Sequence, residues 1–167
     1  MDFRYLYLGT EGRISRKTFW TGAIVLALIG FLVMLVVTVP LLFLGQGFIR
    51  DFRTMSQVIM WLNLASAAVY AYPAYCLAVK RRHDRNSSGW DVLGYLGVNG
   101  ALLVALLILA TNGTIGGLGF SPAMSWLGYG LQAYGIYMLV VLGFLKGTSG
   151  TNSYGPDPLT SGVTATA

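Results

Sequence analysis

Four stretches of this chain contain no Asp, Glu, Lys or Arg: Phe19 to Leu44, Met55 to Val79, Val92 to Thr111 and Met124 to Leu145. A helix crosses the hydrocarbon core of a bilayer with roughly 20 mainly apolar residues, and each stretch is long enough. Helices on the surface of a water-soluble domain carry polar residues on their outer face. Here 10% of residues are charged and 55% are hydrophobic, where a soluble domain carries about 25% charged residues. Too little polar surface remains to cover a soluble particle. The expected fold is all-α: a four-transmembrane-helix bundle with both termini in the cytoplasm. Its helices fall at about 19–44, 55–79, 92–111 and 124–145, in a single domain over residues 1–158, with a flexible cytoplasmic tail at 159–167.

The first run is too long for the apolar part of a cleaved signal, usually about 7–15 residues, and no small-residue cleavage site follows promptly. It is expected to be retained, and to tilt or to end near Pro40. Cys76 is the single cysteine and cannot form an internal disulfide. It is expected to be a buried, inert thiol.

Orientation follows from Lys and Arg, which stay on the cytoplasmic side. Nine basic residues share one side: Arg4, Arg13, Arg16, Lys17, Lys80, Arg81, Arg82, Arg85 and Lys146. The other side has Arg50 and Arg53, with Asp51 between them, and the 112–123 loop has none. The net charge of +5 is therefore a topology signal rather than a nucleic-acid footprint. Trp20, Tyr72, Tyr75 and Trp90 lie near expected inner helix ends, and Trp126 and Tyr129 near an outer one, as amphipathic rings prefer.

Ser15 is expected to cap the first helix, with Arg16 and Lys17 set against its dipole. Ser88 and Asp91 have capping-box spacing for the third. Gly97, Ala101 and Ala105, the set Gly128, Gln132, Gly135 and Gly143, and the stripe Asn63, Ser66, Ala67 and Tyr70 are expected to face other helices, where small residues let backbones approach. A faint echo, Arg13–Ser15–Trp20 and Arg85–Ser87/Ser88–Trp90, is compatible with a duplicated hairpin. NGTIGGLGFSP at 112–122 lacks a phosphate-loop pattern and reads as a flexible connector.

Three polar segments remain: GRISRKTFW at 12–20, KRRHDRNSSGWD at 80–91 and GTSGTNSYGPDP at 147–158. Taken in order, with the apolar runs between them, they resemble the domain of unknown function 805 family of small bacterial inner-membrane proteins. That pattern reads close to KRLHDxGxSGWW in the middle segment. His83, Asp84, Ser88, Gly89 and Trp90 match it, as do Asn152, Tyr154, Gly155, Pro156 and Asp157 in the tail. Arg82 stands for a leucine, Asn86 for a glycine and Asp91 for the second tryptophan. Ser149 and Thr151 stand where prolines are common, and Ser153 where a basic residue is common. The resemblance implies four helices and an inner-membrane location. It carries no established activity and no catalytic residues.

His83 beside Asp84 invites an acid–base reading, but no nucleophile motif accompanies them, and one histidine with one cysteine cannot build a zinc site. No cofactor or metal is expected. The preferred reading is a membrane scaffold or interaction protein. On its cytoplasmic face Arg13, Arg81, Arg82, His83 and Asp84 meet a turn containing Asn152, Tyr154 and Asp157, with Asp84 and Asp157 as charge partners. That assembly is either purely structural or binds an anionic headgroup, a nucleotide or a partner protein. The expected partners are the bilayer, anionic phospholipid headgroups, and a second copy or another membrane protein, with no nucleic acid. The alternative is a channel or small transporter subunit, although the four runs carry none of the intramembrane charges that transport sites usually show.

Overall fold

The computed structural model describes residues 2–48, 52–111 and 122–160. Arg50, Asp51, residues 112–121 of the connector and residues 161–167 of the tail lie outside them. The described residues form α1 (Phe3–Leu8), α2 (Arg16–Phe48), α3 (Phe52–His83), α4 (Trp90–Thr111) and α5 (Pro122–Leu139), and α5 runs into a π-helical turn, Val140–Phe144. Four helical segments are long and apolar enough to cross a membrane: Arg16–Pro40, Gln57–His83, Trp90–Leu109 and Ser125–Phe144.

The helices extend beyond the apolar runs. Arg16 and Lys17 lie in the first turn of α2, and Lys80, Arg81, Arg82 and His83 form the last turn of α3. Charge ends an apolar span without ending a helix, and basic residues in a last turn complement the partial negative charge there. The loop expected at 80–91 therefore shrinks to residues 84–89. α2 continues through Pro40, and α3 contains Pro73.

Local chemistry accounts for the helix ends. Ser15 caps α2 as expected: its Oγ accepts the Thr18 N–H at 3.2 Å and its carbonyl accepts that of Phe19 at 2.9 Å. The expected Ser88 cap on α4 is replaced by Gly89, whose carbonyl takes the Val92 N–H at 3.0 Å. Gly89 has φ +75°, which glycine adopts without strain. Asp91 reaches not back to a cap but across to Arg82. α3 ends in a Schellman motif: the Ser87 N–H bonds the Arg82 carbonyl and the Asn86 N–H bonds that of His83. Asn86 takes the left-handed position with φ 56°. Glycine and asparagine are the residues that favour this position, which explains why asparagine can stand where the family pattern has glycine.

α1 lies in a stretch expected only to precede the first helix. Asp2 caps it by accepting the Arg4 and Tyr5 N–H groups at 3.0 and 3.3 Å. Its carbonyls are taken by α3: Lys80 Nζ donates to those of Tyr5 and Leu6, and the Tyr72 hydroxyl to that of Leu8. Lys80 also lies over the Tyr5 ring.

The buried apolar core sits at one end of the bundle: Leu6, Ile14, Phe19, Leu77, Ala78, Val79, Val92, Met138 and Leu142. Away from it, Phe31, Leu32, Val36, Val69 and Ile136 point outward. Exposing each to water would cost roughly 1.5–3 kcal/mol, a cost that hydrocarbon removes. Several small residues also face outward. Gly97, Ala101 and Ala105 are exposed, and nothing lies near the Cβ position of Gly97. Asn63 and Ser66 bond the carbonyls of Ile59 and Leu62 in their own helix instead of crossing to another. Gly135 and Gly143 do mark close approaches: a Cβ would lie 2.6 Å from the Tyr95 hydroxyl and 2.6 Å from Trp20 Cζ2, respectively.

Candidate functional site

The three polar segments converge on Asp84, just past the end of α3. Its Oδ1 accepts from Arg13 Nε at 3.2 Å and Nη2 at 3.0 Å, and its Oδ2 accepts from Arg81 Nη1. All three residues are buried, and Arg81 is fully so. A carboxylate in such a place needs charged partners with fixed geometry, which guanidinium groups supply. Two cations on one anion leave a positive excess, and backbone carbonyls absorb it.

Arg13 distributes its donors among the segments. Besides Asp84, Nη1 donates to the carbonyls of Gly150 at 2.7 Å and Gly155 at 3.1 Å, and Nη2 to that of Thr148 at 2.6 Å. Arg81 turns towards the end of the last helix. Its Nε donates to the Leu142 carbonyl at 2.8 Å and its Nη2 to that of Leu145. A helix leaves its last four carbonyls without internal partners, and here each finds a side chain from elsewhere. Val141 accepts from Arg85 at 3.4 Å, Leu142 from Arg81, Gly143 from Trp20 Nε1 at 3.0 Å and Phe144 from Arg16 at 3.2 Å. Three arginines at this terminus also suit its dipole. Trp20 thus packs and bonds inside the chain, whereas Trp90 and Trp126 are exposed.

The tail is folded onto this centre. The Thr148 N–H and hydroxyl both donate to the Asp84 carbonyl, at 2.8 and 3.0 Å. Asn152 Nδ2 donates to the His83 carbonyl at 2.9 Å, and Asn86 Oδ1 accepts from the Ser153 N–H at 3.4 Å. The Tyr154 ring stacks on His83, with centroids 3.9 Å apart and planes 6° from parallel. His83 Nδ1 donates to the Gly12 carbonyl at 3.2 Å, because a carbonyl partner requires the proton on that nitrogen. Gly147 passes so close to the Asp84 carboxylate that any Cβ there would collide with it.

Of the expected site residues, Arg13, Arg81, His83, Asp84, Asn152 and Tyr154 form this one assembly. Arg82 lies on its flank, in an ion pair with Asp91 that joins α3 to α4. Asp157 makes no ion pair among the described residues and acts as a turn residue. Its carboxylate accepts the Leu159 N–H at 2.9 Å and the Gly150 N–H at 3.1 Å, and these two bonds hold its pKa below the usual aspartate value. Thr148 and Gly147 belong to the assembly without having been expected there, and Lys80 holds α1 rather than the assembly. The signal for Thr148 and Gly147 was their place at the start of the segment GTSGTNSYGPDP.

Beside the assembly lies a cavity of about 600 Å3, bounded by Ser15, Arg16, Lys17, Lys146, Ser149 and Asp157, with Arg81 and Asp84 at its inner wall. Arg16, Lys17 and Lys146 are exposed. The ion pairs among the described residues are Arg13–Asp84, Arg81–Asp84 and Arg82–Asp91, so these three cations have no carboxylate partner there. Among the described residues no group of three His, Cys, Asp or Glu side chains could hold a metal ion.

Residues 12–20, 80–91 and 147–158 thus converge on Asp84, and the comparison with known families spans them almost entirely. A model of the family described as "Protein of unknown function (DUF805)" matches residues 7–156. The chain belongs to the DUF805 family. The match takes in α1 from Tyr7, all four spans and the tail as far as Pro156, and so includes every member of the Asp84 assembly. Two curated relatives are each 27% identical over 153 residues, covering 91% of this chain and 87% of their own length: "Inner membrane protein YhaI" of Escherichia coli strain K12 and of Escherichia coli O157:H7. No solved structure matches this DUF805 chain. The chain is a membrane protein with an inner-membrane relative and four helices able to span.

Proposed function

We propose that this protein is a membrane scaffold or interaction protein of the inner membrane, with both termini and the α3–α4 loop in the cytoplasm and a basic face that contacts anionic phospholipid. The orientation rests on the positive-inside rule, applied to nine basic residues at the end of the bundle that carries the Asp84 assembly. One observation carries the functional reading. The buried cations are all hydrogen-bonded internally, while Arg16, Lys17 and Lys146 stand exposed at the ends of two candidate spans, without a carboxylate partner among the described residues. Cations at that depth gain about 1 kcal/mol each from an anionic leaflet. In this reading Arg13, Asp84, Arg81, His83, Asn152 and Tyr154 are positioning residues that hold the face in shape.

Brominated lipids test the reading. Trp20 and Trp90 lie near this face, and in reconstituted vesicles their fluorescence should be quenched more by brominated phosphatidylglycerol than by brominated phosphatidylcholine. The preference should fall in high salt, as screening requires. Equal quenching by the two lipids at low salt would refute lipid contact through this face.

A further inference from the structure

We propose that the cavity between the start of α2 and the start of the tail is a saturable site for a phosphate group, with Lys17, Lys146 and Arg16 as its cationic wall. The proposal rests on the lipid-contact reading above and narrows it from a basic surface to one cavity.

Three observations carry it. The first is charge: Arg16, Lys17, Arg81 and Lys146 line one cavity against two carboxylates, Asp84, which two guanidinium groups engage, and Asp157, which accepts the Leu159 and Gly150 N–H groups. The lining therefore presents net positive charge to an incoming group. The second is donor geometry. Arg16 uses Nη1 on the Phe144 carbonyl, a contact that fixes the guanidinium at the cavity edge, and Lys17, Lys146 and the Ser149 hydroxyl stand around the same space. Several convergent donors suit a tetrahedral anion with three or more acceptor oxygens better than a planar carboxylate. The third is depth and size. Arg16 opens one span and Phe144 closes another, so the cavity lies at a membrane boundary. Its volume of about 600 Å3 admits a phosphate together with a glycerol-sized group.

A phosphate at this place can belong to a lipid headgroup or to a soluble phosphate ester. The binding chemistry is shared, and the test separates the sources. The full chain in neutral detergent would be titrated with dihexanoyl phosphatidic acid, dihexanoyl phosphatidylcholine, glycerol 3-phosphate and inorganic phosphate, and thermal stabilisation would be read. Saturable stabilisation by phosphatidic acid is expected, weakened at least about tenfold in the double variant Lys17→Gln/Lys146→Gln. Arg4→Gln, an exposed cation away from the cavity, should match the unaltered protein. Ser149→Glu, which adds negative charge at the wall and leaves the lysines in place, should weaken binding similarly, and it serves if the double variant does not fold. Equal competition by glycerol 3-phosphate would assign the site to soluble esters, and its absence to lipid. Binding that never saturates, or that both cavity variants leave unchanged, overturns the proposal. If brominated phosphatidylglycerol is still preferred in that case, only the cavity site fails; if the preference is also absent, the lipid-contact reading fails with it.

Discussion

Arg13 Nη2 and Asp84 Oδ1 lie 3.0 Å apart, although 71 residues separate them in the chain. The contact joins the segment before the first span to the segment between the second and third. The other donors of Arg13 reach Thr148, Gly150 and Gly155, and so bring in the segment after the fourth span. One side chain thus links the three polar segments that lie before, between and after the spans.

Truncating that side chain strands a buried carboxylate. Arg13→Ala should destabilise the protein by roughly 3–5 kcal/mol, the cost of breaking a buried ion pair from one side. Arg13→Lys should recover only part of this, because a single ammonium cannot span the positions that the guanidinium fork reaches. Thermal unfolding in detergent measures both.

Gly147 tests how tightly the tail is seated. A methyl group there collides with the Asp84 carboxylate, which two arginines hold in place. Gly147→Ala should cost roughly 1–3 kcal/mol, as overpacking does. Gly97→Ala, at an open position on α4, should not destabilise the protein in the same assay.

Asn86 separates a backbone requirement from a side-chain bond. Asn86→Gly should keep the α3 terminus and lose only the bond from the Ser153 N–H. Asn86→Ala should cost about 1 kcal/mol more, because the left-handed conformation is strained for alanine. Paired melting curves would show the difference.

Asp157 makes tail folding acid-sensitive. Its pKa is lowered by the Leu159 and Gly150 N–H bonds, so the folded tail favours the ionised form. The stabilisation is present above the unfolded aspartate pKa of about 3.9 and is lost as pH falls through the lower folded value. The hydrogen-exchange protection factor of the Gly150 amide should hold at neutral pH and decline in acid. In Asp157→Asn it should be lower at neutral pH and flat across the same range.

The four spans were legible because uncharged runs of such length have few other solutions. The polar assembly was legible in outline, since Arg13, Arg81, His83, Asp84 and Asn152 lie in segments that a single topology places at one end. What escaped depends on three-dimensional context. α1 is six residues long, too short for a periodic signal, and its carbonyls depend on Lys80 and Tyr72, which are distant in sequence. Ser88 had the right spacing for a cap, but Gly89 took the position and Asp91 found Arg82. Gly97, Ala101 and Ala105 have helical spacing, yet spacing alone cannot say which face meets another helix. The carbonyl partners of the π turn come from Arg16, Trp20, Arg81 and Arg85, and no local pattern links those residues to Val141–Phe144.

Cross-linking tests most directly whether the three polar segments form one assembly. In a Cys76→Ser background, cysteines at positions 86 and 153 would sit where the Asn86 side chain meets the Ser153 backbone. The account predicts rapid disulfide formation under mild oxidation in native membranes, and its loss when Arg13→Ala is added. Failure of the 86–153 pair to cross-link, or cross-linking that is indifferent to Arg13, would contradict it.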